Sequence, residues 1–221
     1  MFKRDQLERM LEDAGNTIKR PVSIYLIGGC AMSFRGLKDE TKDIDMISLN
    51  QSDLNAISHA LLSSGYHQDT DLEEFYLSAI MVFTKGDGRI DLFLREVCKR
   101  LILSDEMVKR ATLHKKYGKL SVYLASNEDI FLFKSITDRE KDIEDCIMLL
   151  NRALDKNIII DEMERQKKAH WCFFVFEKLC IIEDAGVSVS FKEDVKKICF
   201  GKKQHLPSDF MRDVKDKKKH W

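Results

Sequence analysis

The sequence predicts an α/β (α+β) fold in which strands and helices alternate to about residue 125 and the remainder is helical. Three observations carry that expectation. Short apolar runs of strand length alternate with helix-period segments in the first half. Beyond about residue 125, apolar residues recur only at helical spacing. Only two prolines punctuate the 221 residues, and no internal repeat is visible. That length suits a core of about 100–150 residues with an appendage. The expected division is therefore 1–125 as an α/β core and 126–221 as a helical region with a basic tail.

The elements follow in order. Leu7, Met10, Leu11, Ala14 and Ile18 share one face of a helix over about 4–20, which ends before Pro21. VSIYLI is a buried strand that stops at Gly28-Gly29, and CAMSFRG is a short helix closed by Gly36. KDETKDIDMISL leads into a second strand. Ser52–Ser64 is a helix with Ser52 as N-cap, Leu54, Ile57 and Leu61 on one face, and Gly65 at C′. FYLSAIMVFT and RIDLFLREV are strands joined by the turn Lys85-Gly86-Asp87-Gly88. Lys119–Leu124 is a further strand, and Ser126 caps a helix through Ile136. A helix over 139–154 aligns Ile143, Ile147, Leu150 and Leu154, a long helix spans 160–184 with Gly186 as its stop, and the terminal KDKKKHW frays.

Composition narrows the function classes. Charged residues make up 33% and the hydrophobic set 44%, which excludes a disordered chain and a membrane protein. No apolar run serves as a signal peptide or approaches the ~18–20 residues of a spanning helix. Six cysteines are scattered without a CxxC pair, so they read as reduced, packed thiols, and the expected location is the cytoplasm. Lys and Arg number 37 against 37 Asp and Glu, which argues against a bulk nucleic-acid coat. The neutrality is a sum of opposites, since residues 192–221 hold ten basic side chains against five acids.

Three carboxylates and a Gly-Gly turn carry the chemistry. Asp43 and Asp45 in TKDIDMI point to one face of a strand while Ile44 and Met46 point to the core. Two such acids repel unless a cation lies between them, and a hard divalent ion, Mg²⁺ above all, resolves the repulsion. A solvated strand edge is the competing reading. Gly28-Gly29, directly between strand and helix, lets the backbone approach a phosphate, although most such pairs are only tight turns. Asp91 in GRIDLFL is an acid in an apolar strand, costly unless paired, metal-bound or at an exposed end. Asp87, on the adjacent turn, competes with it for the third acidic position.

The order of these features (IGGCAMSFRG, then TKDIDMI, then RIDLF) resembles the nucleotidyltransferase superfamily of the DNA polymerase beta type over about residues 20–95. NEDIFLFKSITDREKDIEDCIMLL resembles the segment that follows the core in abortive-infection (AbiEii-type) toxin nucleotidyltransferases, with Lys134, Arg139, Asp142 and Asp145 at the matching positions. The resemblance implies a mixed sheet flanked by helices and two Mg²⁺ ions held by Asp43, Asp45 and Asp91. It also implies that Gly28, Gly29, Ser33, Lys134, Arg139 and Asp142 bind nucleotide. Ser33 enters because Gly-Gly-Cys-Ala lacks the hydroxyl that many members carry beside the turn.

Other residues read more plainly. Asp138, Asp142 and Asp145 line one helical face, which is as readily a solvated stripe as a site. Lys134, in an apolar helix, either snorkels outward or reaches a phosphate or carboxylate. Trp171, Phe173, Phe174 and Phe176 are core or interface rather than a base-stacking platform, and Cys30 is the one cysteine beside the Gly-Gly turn.

The implied activity is Mg²⁺-dependent transfer of a nucleoside monophosphate from a nucleoside triphosphate to an acceptor hydroxyl on RNA, protein or a small molecule. A toxin–antitoxin or defence setting, and a homodimer or partner protein held through the C-terminal helices, belong to the same expectation. The rival readings are a catalytically silent relative that binds nucleotide or a protein partner, a glycosyltransferase using Asp-x-Asp, and a non-enzymatic interaction module built on the aromatic helix near Trp171 and the basic tail. Gly28-Gly29 upstream and Asp91 downstream argue against the glycosyltransferase.

Overall fold

In a computed structural model the described residues are 1–71, 79–137, 139–166 and 171–201. The chain divides into two compact units, Met1–Phe133 and Lys134–Trp221. Of the expected features, residues 75–78 of FYLSAIMVFT, Asp138, residues 167–170 of the helix expected over 160–184 and the terminal KDKKKHW lie outside the described residues.

The first unit is built on a mixed sheet. Its elements are β1 (Phe2–Lys3), α1 (Arg4–Thr17), β2 (Val22–Ile27), α2 (Gly28–Phe34), β3 (Glu40–Thr41), β4 (Ile44–Ser48) and α3 (Gln51–Ser63). They continue with β5 (His67–Gln68), β6 (Met81–Lys85), β7 (Gly88–Leu94), β8 (Glu96–Val97), β9 (Leu101–Ile102), a helix Asp105–Arg110, β10 (Thr112–Tyr117) and β11 (Leu120–Leu124). Among the described residues, seven strands form one sheet in the order β10-β11-β2-β4-β7-β6-β5. The β11–β2 and β4–β7 pairs are parallel and the others antiparallel. This is the expected α/β (α+β) class.

Local chemistry explains most boundaries. In α1, Leu7, Met10, Leu11 and Ala14 are buried as their spacing demands. Gly15 lies at a close crossing, where a Cβ would sit 2.4 Å from Tyr117 Cβ and 2.5 Å from its carbonyl oxygen. Gly15→Ala is accordingly expected to destabilise the fold by about 1–3 kcal/mol, as overpacking does. A urea melt reads this directly, and an unchanged midpoint would show that helix and strand separate at no cost.

The cap of α3 is Asn50, not Ser52: the Asn50 side chain accepts the Asp53 amide at 2.8 Å. Ser52 instead accepts from the Arg20 guanidinium at 2.8 Å. Gly65 follows the helix with φ +83°, as the C′ position requires. Gly86 and Asp87 close the β6–β7 hairpin.

Two strand expectations change. RIDLFLREV is not one strand, because Arg95 adopts φ +57° and sends Glu96-Val97 into a separate ribbon with β9. Asp43 precedes β4 rather than lying within it. β10, which has no counterpart among the sequence expectations, is an edge strand whose only buried residue is Tyr117, so its sequence carries no alternating apolar signal.

The helix Asn127–Ser135 runs across the division between the units. The second unit then holds the helices Lys141–Leu150, Lys156–Arg165, Trp171–Asp184 and Lys192–Phe200. The segment expected as one helix over 160–184 carries two. The chain leaves helical geometry at Gln166, whose carbonyl accepts the Trp171 indole N–H at 2.8 Å. Phe200 packs edge-on against Phe173 and Phe176, with centroids 5.0 and 5.5 Å away, and Trp171 and Phe176 are buried. These aromatics pack the unit, as expected.

Candidate functional site

Sheet register assembles the acids. Asp45 on β4 pairs with Ile27, the last residue of β2, on one side and with Asp91 on β7 on the other. Paired residues of adjacent strands project to the same face, so the Asp45 and Asp91 carboxylates are neighbours. Asp43 approaches from the residue just before β4. One carboxylate oxygen from each of Asp43, Asp45 and Asp91 lies within 4.8 Å of the others. Asp43 and Asp45 are half-buried and Asp91 is buried. The donors are all hard carboxylate oxygens, which suits Mg²⁺ and not a metal that prefers nitrogen or sulfur. These three residues can therefore bind a metal. Asp87 is exposed on the hairpin turn, so Asp91 is the third acid of the cluster.

The Gly-Gly turn fits closely over this cluster. Gly28 has φ +62°, and a Cβ there would stand 2.2 Å from Asp45 Oδ2. At Gly29 a Cβ would stand 2.5 Å from the hydroxyl of buried Thr41. Both glycines thus allow the turn to lie against the acid-bearing segment, a role the strand–turn–helix reading did not specify. Gly28→Ala is expected to weaken divalent-ion binding and to lower stability, because the left-handed backbone and the Asp45 contact both oppose a methyl group. Mn²⁺ titration with thermal melting checks this. Wild-type values for both would mean that turn and acid move independently.

The environment defines other side chains. Burial pushes the Cys30 thiol well above its ordinary value, and Asp45 and Asp43 push it further, so Cys30 is a packed neutral thiol. Ser33 is buried, and its hydroxyl has no hydrogen-bond partner among the described residues. Sequence reasoning passed over Arg89. Its Nε donates to Asp91 Oδ1 at 2.7 Å and its Nη2 to Oδ2 at 2.6 Å. The signal was present as Arg-x-Asp, since residues two apart on a strand share a face.

In the second unit, Lys134, Arg139, Asp142 and Asp145 come together. The Lys134 ammonium donates to Asp142 Oδ1 at 2.5 Å and lies 2.9 Å from Asp145 Oδ2. Asp142 also accepts from Arg139 Nε at 3.0 Å and from the Thr137 hydroxyl. Burial opposes the charge of Lys134, but Asp142 and Asp145 outweigh it and hold its pKa above that of an ordinary lysine. Burial likewise opposes the Asp142 charge, and Lys134 with Arg139 hold its carboxyl below the usual range. The acids do not form a solvated stripe: Asp142 and Asp145 are 1% and 2% exposed. With Cys146 and Leu149 they form the buried i, i+3, i+4, i+7 face of their helix.

A family of proteins described as nucleotidyltransferases of unknown function (DUF6036) matches residues 5–178. The chain belongs to that family. Membership places the carboxylate cluster within a nucleotidyltransferase family. Among solved structures, "Crystal structure of putative nucleotidyltransferase from H. pylori" is similar at 13% identity, covering 99% of this chain and 96% of that one with a TM-score of 0.42. No curated protein matches the chain. Among the described residues, no helix is long and apolar enough to cross a membrane.

Proposed function

We propose that this member of the family transfers a nucleoside monophosphate from a nucleoside triphosphate to an acceptor hydroxyl, with release of pyrophosphate. The observation that carries the reading is the convergence of Asp43, Asp45 and Asp91 through the β4–β7 register. Asp43, Asp45 and Asp91 would hold Mg²⁺, two ions being expected. Bound Mg²⁺ would supply charge neutralisation at the triphosphate and would favour ionisation of the acceptor hydroxyl. Asp91 would complete the second metal site and help to deprotonate the incoming hydroxyl. The backbone at Gly28-Gly29 and the buried hydroxyl of Ser33 are the proposed phosphate contacts.

Lys134, Arg139 and Asp142 are proposed nucleotide-binding residues on the strength of the AbiEii-type resemblance. Arg139, 59% exposed where the other two are buried, is the side chain to test. The same resemblance motivates a toxin–antitoxin setting; the sequence pattern separately motivates a core of 1–125 with a helical region of 126–221, through which a partner or second copy would be engaged. A cytoplasmic location, with RNA, protein or a small molecule as acceptor, completes the proposal.

The test uses each of the four nucleoside triphosphates labelled at the α-phosphate, with Mg²⁺ and with tRNA, protein or small-molecule acceptors. Label is expected on one acceptor and is lost in Asp45→Asn. Nucleotide binding without transfer to any of them would instead identify a catalytically silent relative.

A further inference from the structure

We propose that Arg89 is a resident cation of the carboxylate cluster, competing with the divalent ion for Asp91 and thereby setting how tightly the site takes metal. The inference rests on the metal-binding reading of Asp43, Asp45 and Asp91. Arg89 and Asp91 lie two residues apart on β7, so both side chains project from the same face. The guanidinium engages both Asp91 oxygens, Nε on Oδ1 at 2.7 Å and Nη2 on Oδ2 at 2.6 Å. Such a two-point fork is the strong form of an ion pair. It is also shielded from water, with the two side chains 19% and 7% exposed, so solvent screens it less than it would a surface pair.

A divalent ion at the cluster therefore meets a carboxylate already neutralised by a positive charge. The three acids together bring three negative charges, and Arg89 offsets one. Counting these four side chains alone, what remains matches a single divalent ion. A second ion then gains its counter-charge from the incoming triphosphate, or requires the guanidinium to release at least one oxygen. Arg89 accordingly acts as a positioning residue: in the metal-free protein it holds Asp91 in place and limits repulsion among the acids.

The experiment is Mn²⁺ binding to the full chain, followed by electron paramagnetic resonance without nucleotide. Arg89→Gln keeps a polar amide and removes the charge, and is expected to tighten Mn²⁺ binding by about tenfold, since an opposing charge at close range is worth one or more kcal/mol. Arg89→Lys keeps the charge but not the two-point fork, and is expected to tighten binding less than Arg89→Gln does. Unchanged or weaker binding in Arg89→Gln overturns the proposal, as does tightening in Arg89→Lys equal to that in Arg89→Gln. An independent readout needs no variant. The Arg89 Nε–H resonance of the wild-type protein should shift, with faster exchange against water, as Mg²⁺ saturates the site; a resonance unmoved at saturation also overturns it. If the wild type binds no more Mn²⁺ than Asp45→Asn does, the metal-centre reading itself has failed. That result is distinct from a normal wild-type affinity that Arg89→Gln leaves alone.

Discussion

Asp45→Asn is expected to abolish nucleotidyl transfer, with a loss on the order of 10⁴-fold or more, as when one member of a catalytic set that acts as a unit is removed. Asp45 is the central acid of the register, between Ile27 and Asp91, and its Oδ2 lies beneath Gly28. Asparagine keeps the shape and removes the charge. Without metal the variant should therefore melt at the wild-type temperature or slightly above it, because one of three crowded negative charges has gone. Wild-type protein should gain stability with rising Mg²⁺, in proportion to the logarithm of the ion concentration above its dissociation constant. The variant should lose most of that gain. Thermal melts at several Mg²⁺ concentrations, beside the transfer assay, make the check. A variant that unfolds without metal would show that Asp45 is needed for folding, and retained transfer would remove it from the chemistry.

Lys134→Met is expected to produce the largest loss of stability, about 3–5 kcal/mol, because it leaves Asp142 and Asp145 buried without their ammonium. The pH dependence should reverse as well. In the wild type, burial raises the Asp142 carboxyl but Lys134 and Arg139 bring it below its unfolded value. Its contribution is thus present above about pH 4 and is lost as pH falls through the lower folded-state value. Lys134 is shifted upward, so its contribution is complete below about pH 10.5 and is lost only as pH rises through the higher folded-state value. With Lys134 gone, only Arg139 and the Thr137 hydroxyl oppose burial, and the Asp142 carboxyl is expected to move above its unfolded value. A group raised in this way stabilises below the unfolded value and loses that contribution as pH rises. The deficit of Lys134→Met should therefore be larger at pH 8 than at pH 5. Urea melts at the two pH values decide it, and an equal deficit at both would refute the account of the cluster.

Much of the scaffold could be read directly because its signals are local. The α1 stripe, the β2 run, the hairpin at Gly86-Asp87 and the stop at Gly65 all follow from spacing or turn chemistry within a few residues. The errors share a cause too. Asn50 caps α3, while Ser52 lies inside the helix and accepts from Arg20, more than thirty residues away. The long helix expected over 160–184 ends at Gln166, whose carbonyl accepts the Trp171 indole N–H. β10 is an exposed edge, and an edge strand need not alternate.

The same contrast runs through the candidate site. Asp43, Asp45, Asp91 and the Gly-Gly turn were visible as residue types in order, because a metal-binding acid and a close backbone approach each restrict the amino acid allowed. Their convergence depended on β4 pairing with β7 across more than forty residues, and register is a property of the assembled sheet. Arg89 and Lys134 make the point most sharply. Sequence by itself left Lys134 either snorkelling outward or reaching a phosphate or carboxylate, and Arg89 stood unremarked two residues before Asp91. Only the tertiary structure decided which carboxylates they hold, because the energy of a charge depends on its distance to the opposite charge and on its removal from water.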